Sequence, residues 1–316
     1  MRVLVVGAGA VGSVLGGFLA RSGHDITLLG RAWHLDAVRH EGLRISGLWG
    51  EHRVTKLSLA VRPEDVAAEP TFDWIFVCVK SHQTAGAVAQ LSAWLGPKTL
   101  VCAFQNGLGN YELLLQVVPG ERLALGRVIF GAELEPGHVR VTVSADEVLI
   151  GSPDARFPGE RSAALAAEFQ ESGVPALATV TIFTALWAKM LYNCALNGLS
   201  ALLEAPYGKL LEQPAAKRLM GAVIEEAYRV AAGRGIRLEP SDAGAYLAML
   251  FTRLIPDTAG HDSSMLQDLR RGRVTEIESL NGAIVRLGRE VGVPTPVNAL
   301  VARLVHAKER FAGVTV

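Results

Sequence analysis

A chain of 316 residues is long enough for roughly two domains with deep apolar cores and no covalent staples. Half of it is hydrophobic and 31 basic residues balance 31 acidic ones, which argues against a general nucleic-acid or anionic-membrane surface. Its 33 glycines and 14 prolines exclude collagen-like or low-complexity character, and the three cysteines, Cys78, Cys102 and Cys194, offer neither a disulfide framework nor metal-ligand spacing.

Val3 to Ala20 carries no charge and follows Met1-Arg2, as a short signal or anchor would. Gly7, Gly9, Gly12, Gly16 and Gly17 would weaken a membrane helix, and a strand, a turn and a close-packed helix explain the same residues. The expectation is a soluble, cytoplasmic protein with no membrane or nucleic-acid partner. The odd cysteine count fits a reducing compartment.

Arg2–Val6 reads as a strand, Ala10–Arg21 as a helix and Asp25–Leu29 as a second strand. Leu43–Ile45 and Val54–Leu59 look like strand material around a turn. Trp74–Val79 is an almost unbroken apolar run, the mark of a central parallel strand covered on both faces. A helix over Gln83–Leu95 and a strand over Thr99–Phe104 continue the βαβ rhythm of an open parallel sheet. Arg122–Phe130, His138–Val143 and Glu147–Ile150 are close-spaced strands expected to extend that sheet in antiparallel fashion, followed by a helix over Arg161–Gln170 and a strand over Ala176–Val180. Beyond Thr181 the pattern predicts helices at Ile182–Leu203, Pro214–Arg234, Asp242–Leu254, Met265–Arg270, Glu276–Val291 and Val297–Phe311. The domain boundary falls near Thr181, giving a nucleotide-binding domain over 1–180 and a helical domain over 181–316.

Gly7-Ala8-Gly9-Ala10-Val11-Gly12 is a G-x-G-x-x-G turn between a strand and a helix, the context that dinucleotide binding requires. Gly7 permits the tight turn, Gly9 lets the backbone approach a pyrophosphate, and Gly12 lets the helix pack on the sheet. A close helix–strand contact with no ligand is the plain alternative. Strand two ends in Gly30-Arg31 and not in a carboxylate, so NADP(H) is preferred over NAD(H): Arg31 can pair with a 2′-phosphate, unless it is an ordinary solvated arginine. Lys80, after the central strand, either stabilises cofactor charge or snorkels from a strand end. Gln105-Asn106-Gly107 follows the next strand, and Asn106 either anchors a substrate or nicotinamide group or forms an Asn-Gly turn.

Within Ile182–Leu203, Lys189, Asn193 and Asn197 are successive i, i+4 positions on one face of an otherwise apolar helix. Buried there, a lysine and two amides need partners, from a structural network or from a small polar substrate. Lys189 is the general-acid candidate, since an ammonium can stabilise and protonate the alkoxide that forms when hydride attacks a carbonyl. No metal site is expected. Ser263 and Thr275 read as helix caps, Ser264 can bind a carboxylate, and Glu276 at a helix start can stay ionised and orient Lys189 or a substrate hydroxyl.

Together these stretches resemble the ketopantoate reductase (2-dehydropantoate 2-reductase) family along nearly the whole chain. The most specific are Trp187-Ala188-Lys189 with Asn193 and Asn197, and Ser263-Ser264-Met265-Leu266-Gln267-Asp268 followed by Thr275-Glu276-Ile277. The resemblance implies an α/β fold, with an N-terminal Rossmann-type dinucleotide-binding domain followed by an all-helical C-terminal domain. It implies NADPH-dependent reduction of 2-dehydropantoate to (R)-pantoate on the route to pantothenate and coenzyme A. By that resemblance Lys189 is the general acid. Asn106, Asn193, Asn197, Ser264 and Glu276 hold the substrate or order the site, and Lys80 lies in the cofactor cleft. A homodimer is compatible with it. His261 departs from the asparagine of the best-known bacterial members, which leaves open a reductase of another branched 2-oxo acid. An NADPH-binding sensor without turnover is the alternative outside enzymes.

Overall fold

The computed structural model describes residues 1–66 and 71–314, so the last two residues of the expected helical domain lie outside it. The chain divides into two units, one of Met1–Gln105 with Asn110–Phe183 and one of Asn106–Gly109 with Thr184–Val316.

In the first unit the elements run β1 (Arg2–Val6), α1 (Ala10–Arg21), β2 (Asp25–Leu29), α2 (Ala32–Glu41), β3 (Leu43–Gly47), β4 (His52–Val54), β5 (Ser58–Ala60), β6 (Trp74–Val77) and α3 (Thr84–Leu91). They continue as β7 (Leu100–Ala103), α4 (Asn110–Leu114), β8 (Leu123–Arg127), β9 (Phe130–Glu135), β10 (His138–Ser144), β11 (Val148–Gly151), α5 (Gly159–Ser172) and β12 (Ala176–Ala178). Eight strands form one sheet in the order β12-β11-β8-β7-β6-β1-β2-β5, and only the β8–β11 pair is antiparallel. All four residues of β6 are buried, as an apolar run in a doubly covered parallel strand should be. The chain winds one way from β1 to β2 and the other way to β6 and β7. The crevice beyond the carboxyl ends of β1 and β6 is therefore the topological switch point, where such sheets bind ligands.

A second sheet, β4-β3-β10-β9, corrects two expectations. The predicted strand over Arg122–Phe130 is β8 alone, ending at Arg127, while β9, which begins at Phe130 and was not expected, and β10 over the predicted His138–Val143 join the second sheet and do not extend the main one. The chain leaves the main sheet after Arg127 because Phe130 packs on Trp49, with ring centroids 4.9 Å apart, and Trp49 meets Phe18 of α1 at 5.7 Å. Val54–Leu59 likewise divides between β4 and the main-sheet edge strand β5. Helix α1 lies between the sheets. A Cβ on Gly16 would come 2.8 Å from Leu28 and 3.2 Å from Val5 of the main sheet, and one on Gly17 would come 2.7 Å from Ile45 and 2.9 Å from Leu43 of the second. The long uncharged N-terminal stretch is thus a strand and a helix covered on both faces, and no described helix is long and apolar enough to cross a membrane.

The second unit holds α6 (Ile182–Leu203, its first two residues in the other unit), α7 (Tyr207–Leu211), α8 (Pro214–Gly233), α9 (Ala243–Met249), α10 (Ser264–Arg270), α11 (Asn281–Glu290) and α12 (Pro296–Phe311). Helix α6 buries Trp187, Met190, Leu191, Cys194, Ala195, Leu196 and Leu199. Buried amides brace it: Asn281 donates to the Cys194 carbonyl at 3.2 Å and to Asn298 Oδ1 at 3.0 Å. The fully paired Glu226 carboxylate accepts from the Val297 and Asn298 amides at the start of α12, at 2.8 and 2.9 Å. The helix expected from Glu276 begins instead at Asn281, after a 3₁₀ turn over Ile277–Ser279. The Ser279 carbonyl, which a continuous helix would turn toward residue 283, accepts from Leu108 N at 3.0 Å.

Candidate active site

Three features make the β1–α1 turn a dinucleotide cradle. Gly7 sits at φ +105°, and a Cβ there would lie 2.6 Å from Val79 N, so neither the conformation nor the space admits another residue. At Gly12 a Cβ would lie 2.2 Å from the Gly7 carbonyl oxygen. Gly9, the N-cap of α1, differs: a Cβ there would meet no atom within 4 Å. It brings no side-chain oxygen to the first helical turn, and the empty space beside it lets a pyrophosphate approach the amides there. The fit to a dinucleotide is good.

The Gly7 and Ala8 amides both donate to the Leu29 carbonyl, at 2.9 and 2.8 Å, and a Cβ on Gly30 would lie 2.6 Å from Ala8 Cβ. The chain after β2 therefore hugs the turn, and Arg31 follows immediately, exposed, as the N-cap of α2 with its guanidinium 5.8 Å from the Trp33 ring centroid. No acid stands at the end of β2 to hold a ribose diol. Lys80 lies beyond β6, which stops at Val77 because the glycine turn backs onto Cys78 and Val79. A buried polar network holds that loop. Gln105 donates to the Val79 carbonyl at 3.0 Å and to Thr84 Oγ1 at 2.7 Å, and Thr84 donates to Asn110 Oδ1 at 2.8 Å.

In the helical unit, three sequence-predicted residues form one chain. Lys189 Nζ donates to Asn106 Oδ1 at 2.6 Å, and Asn106 Nδ2 donates to Glu276 Oε2 at 3.1 Å. The ammonium only donates and the carboxylate only accepts, so between them they fix which way the amide faces. Residues 106–109 reach this unit because Gly107, at φ +78°, passes so close to Ser279 that a Cβ would lie 2.3 Å from its carbonyl oxygen. Asn193, one turn after Lys189, is half-buried and makes no side-chain hydrogen bond to another described residue. Asn197, a turn further, is buried and accepts a hydrogen bond from the Tyr207 hydroxyl at 2.7 Å. Ser263 caps α10 by accepting from Leu266 N at 3.0 Å, which leaves Ser264 exposed at the first helical position.

Sequence reasoning missed Tyr207. An aromatic residue just after Pro206 reads as core, and its link to Asn197 is visible only in the fold. Its ring stands edge-on to Tyr192 at 5.8 Å and to His261 at 5.4 Å. Burial, its chief influence, raises the Tyr192 phenol to about 12, only partly offset by its bond to Thr258. Among the described residues no three His, Cys, Asp or Glu side chains converge as a metal-holding group. The arrangement presents an ammonium, oriented amides and a hydroxyl on one helical unit, the donor set for a small oxygen-rich anion.

Residues 3–155 match the family model "Ketopantoate reductase PanE/ApbA", and residues 181–309 match "Ketopantoate reductase PanE/ApbA C terminal". The 2-dehydropantoate 2-reductase of Aquifex aeolicus (strain VF5) is 39% identical over 312 residues, 98% of each chain. Among solved structures, a PanE/ApbA family ketopantoate reductase from Ralstonia eutropha JMP134 is 35% identical with a TM-score of 0.87, covering 99% of this chain and 100% of that one. D-Mandelate dehydrogenase, in a ternary structure with NADH and anilino(oxo)acetate, is 29% identical with a TM-score of 0.89 over 100% of both chains. With both halves matched and close relatives aligned along nearly its whole length, the chain belongs to the ketopantoate reductase (PanE/ApbA) family.

Proposed function

We propose that the protein reduces 2-dehydropantoate to (R)-pantoate with NADPH, the step that serves pantothenate and coenzyme A synthesis. The observation that carries this reading is the chain from the Lys189 ammonium through the Asn106 amide to the Glu276 carboxylate. The amides of the Gly7–Gly12 turn hold the pyrophosphate, Arg31 takes the 2′-phosphate, and Lys80 adds positive charge at the switch point. When bound, NADPH supplies a hydride to C2 of the 2-oxo acid. Lys189 stabilises the negative charge that develops on the C2 oxygen and donates a proton to it. Asn106 steadies the ammonium, and Glu276 steadies Asn106. Asn193, Asn197 and Ser264 hold the carboxylate and hydroxyl of the acid through uncharged donors.

The names of the relatives support the substrate. D-Mandelate dehydrogenase supports a second reading, a larger or aromatic 2-oxo acid, because the rings of His261, Tyr207 and Tyr192 pack together beside Asn197. NADPH oxidation should be measured with 2-dehydropantoate, 2-oxoisovalerate, pyruvate and phenylglyoxylate. The expected result is a kcat/KM for 2-dehydropantoate well above the others, with (R)-pantoate as product. Preference for another acid would replace the named substrate, and saturable NADPH binding with no turnover of any acid would favour a sensor.

A further inference from the structure

We infer that Tyr207 is a positioning residue that fixes the Asn197 amide with its NH2 group offered to a substrate oxygen, an assignment that rests on the reductase reading above. Tyr207 is the first residue of α7 and only 2% exposed. Its ring is held edge-on by Tyr192 and His261, and its backbone N–H donates to the His261 carbonyl at 3.2 Å. Burial, the chief influence, raises its phenol well above the ordinary value, so the group keeps its proton at every working pH.

A buried hydroxyl proton without an acceptor is costly. Among the described residues the acceptor for this one is Asn197 Oδ1, at 2.7 Å. Were the amide turned over, its NH2 would face the phenol and the phenol proton would be stranded. The satisfied arrangement therefore places Oδ1 against Tyr207 and directs Nδ2 away from it. That nitrogen has no hydrogen-bond partner among the described residues, yet it is not one of the fully enclosed unsatisfied atoms. The Asn197 backbone is held as well, by a hydrogen bond from Ser263 Oγ to its carbonyl at 3.4 Å. Asn197 thus recognises an acceptor, either a carboxylate or a hydroxyl of the 2-oxo acid. Tyr207 reaches the substrate only through it.

A double-mutant cycle tests the link. Tyr207→Phe removes one oxygen and keeps the ring packing. It should raise KM for the acid the wild type reduces best by about tenfold, with kcat within about twofold, as expected for one weakened hydrogen bond to an anion. In an Asn197→Ala background the same change should move KM by less than about twofold. Equal effects in both backgrounds, or a loss confined to kcat, would overturn the assignment. Repeating the cycle with 3,3-dimethyl-2-oxobutanoate, which lacks the hydroxyl of 2-dehydropantoate, identifies the oxygen: the coupling vanishes for a hydroxyl and persists for a carboxylate. A substrate-free arm stands apart from activity. In ¹⁵N-labelled protein the Asn197 side-chain NH2 signals, assigned by their loss in Asn197→Ala, should shift in Tyr207→Phe, and unmoved signals would overturn the assignment. If the wild type reduces no 2-oxo acid, the reductase reading falls, and these signals alone decide whether Tyr207 holds the amide.

Discussion

Gly9 and Gly12 stand in one turn and are glycines for different reasons, which separates their substitutions. Alanine at Gly9 meets no protein atom and keeps an ordinary φ of −84°, so the melting temperature should hold while NADPH affinity falls at least about tenfold, because the methyl occupies the anion's space. Alanine at Gly12 would press on the Gly7 carbonyl and should lower stability itself, by about 1–3 kcal/mol. Thermal unfolding beside NADPH titration distinguishes the two, and equal melting temperatures would show that the turn yields. Arg31→Ala should weaken NADPH far more than NADH, since the exposed guanidinium has a 2′-phosphate to pair with in only one of them; equal losses would point to general packing. Lys189→Ala should leave NADPH binding intact and slow single-turnover NADPH oxidation by about 10²–10⁴-fold. Glu276→Gln should also slow it, because a neutral amide no longer dictates how Asn106 faces Lys189. An unchanged chemical rate in Lys189→Ala would remove it as the acid. The row Lys189, Asn193, Asn197 was legible in the sequence because three polar residues at helical spacing stand out on an apolar helix. Tyr207 was not, because its hydroxyl finds Asn197 only after α6 and α7 have turned on one another.

Among elements, α6 was legible to its ends, since twenty-two residues of uniform helical pattern sit between Thr181 and Glu204. Helix α2 was not foreseen: it buries only His34, Leu35 and Val38, too narrow a stripe to read as periodicity. The second sheet was hidden for another reason. Strand-forming runs mark β3 and β10, but they carry nothing about which sheet takes them, and β9 and most of β4 were not read as strands at all. One buried residue ties these parts together. His34 of α2 bonds Ser13 of α1 through Nε2 at 3.1 Å, and its Nδ1 faces the Glu135 carbonyl at 3.1 Å and the Gly137 amide at 3.2 Å in the β9–β10 turn. Burial, the largest influence, lowers its proton affinity below the ordinary 6.5; the Glu135 carbonyl opposes this and the Arg31 charge adds to it. The folded protein thus binds the proton less readily than the unfolded chain. Stability is full above about pH 6.5 and falls as acid protonates the unfolded chain first, levelling off once the folded imidazole is protonated too. In thermal unfolding from pH 7.5 to 5, the advantage of the wild type over His34→Gln should shrink below pH 6.5. An advantage that stays constant with pH would sink this account.

At the scale of the whole molecule, the α/β half and the helical half were legible from βαβ rhythm followed by helical periodicity. The excursion of Asn106–Gly109 into the helical unit was not, since a short loop after a strand carries no sign of where it goes. It gives a sharp expectation for Gly107→Ala: with φ at +78° and the Ser279 carbonyl in the way, the loop must shift and take Asn106 from Lys189. Turnover should fall at least about tenfold, as for a displaced catalytic group, while saturable NADPH binding survives. Retained turnover would mean that the loop adapts. The placement of α1 between two sheets reaches further, into the order in which the chain is made. Residues 2–21 leave the ribosome before the strands that cover them, with β2 and β3 soon after, but the second sheet closes over α1 only when β9 and β10 have been synthesised, ending at Ser144. At translation rates of about 5–20 residues per second, this apolar helix waits on the order of ten seconds for its last cover. That interval exposes the nascent helix to chaperones, and to neighbouring chains emerging from the same message.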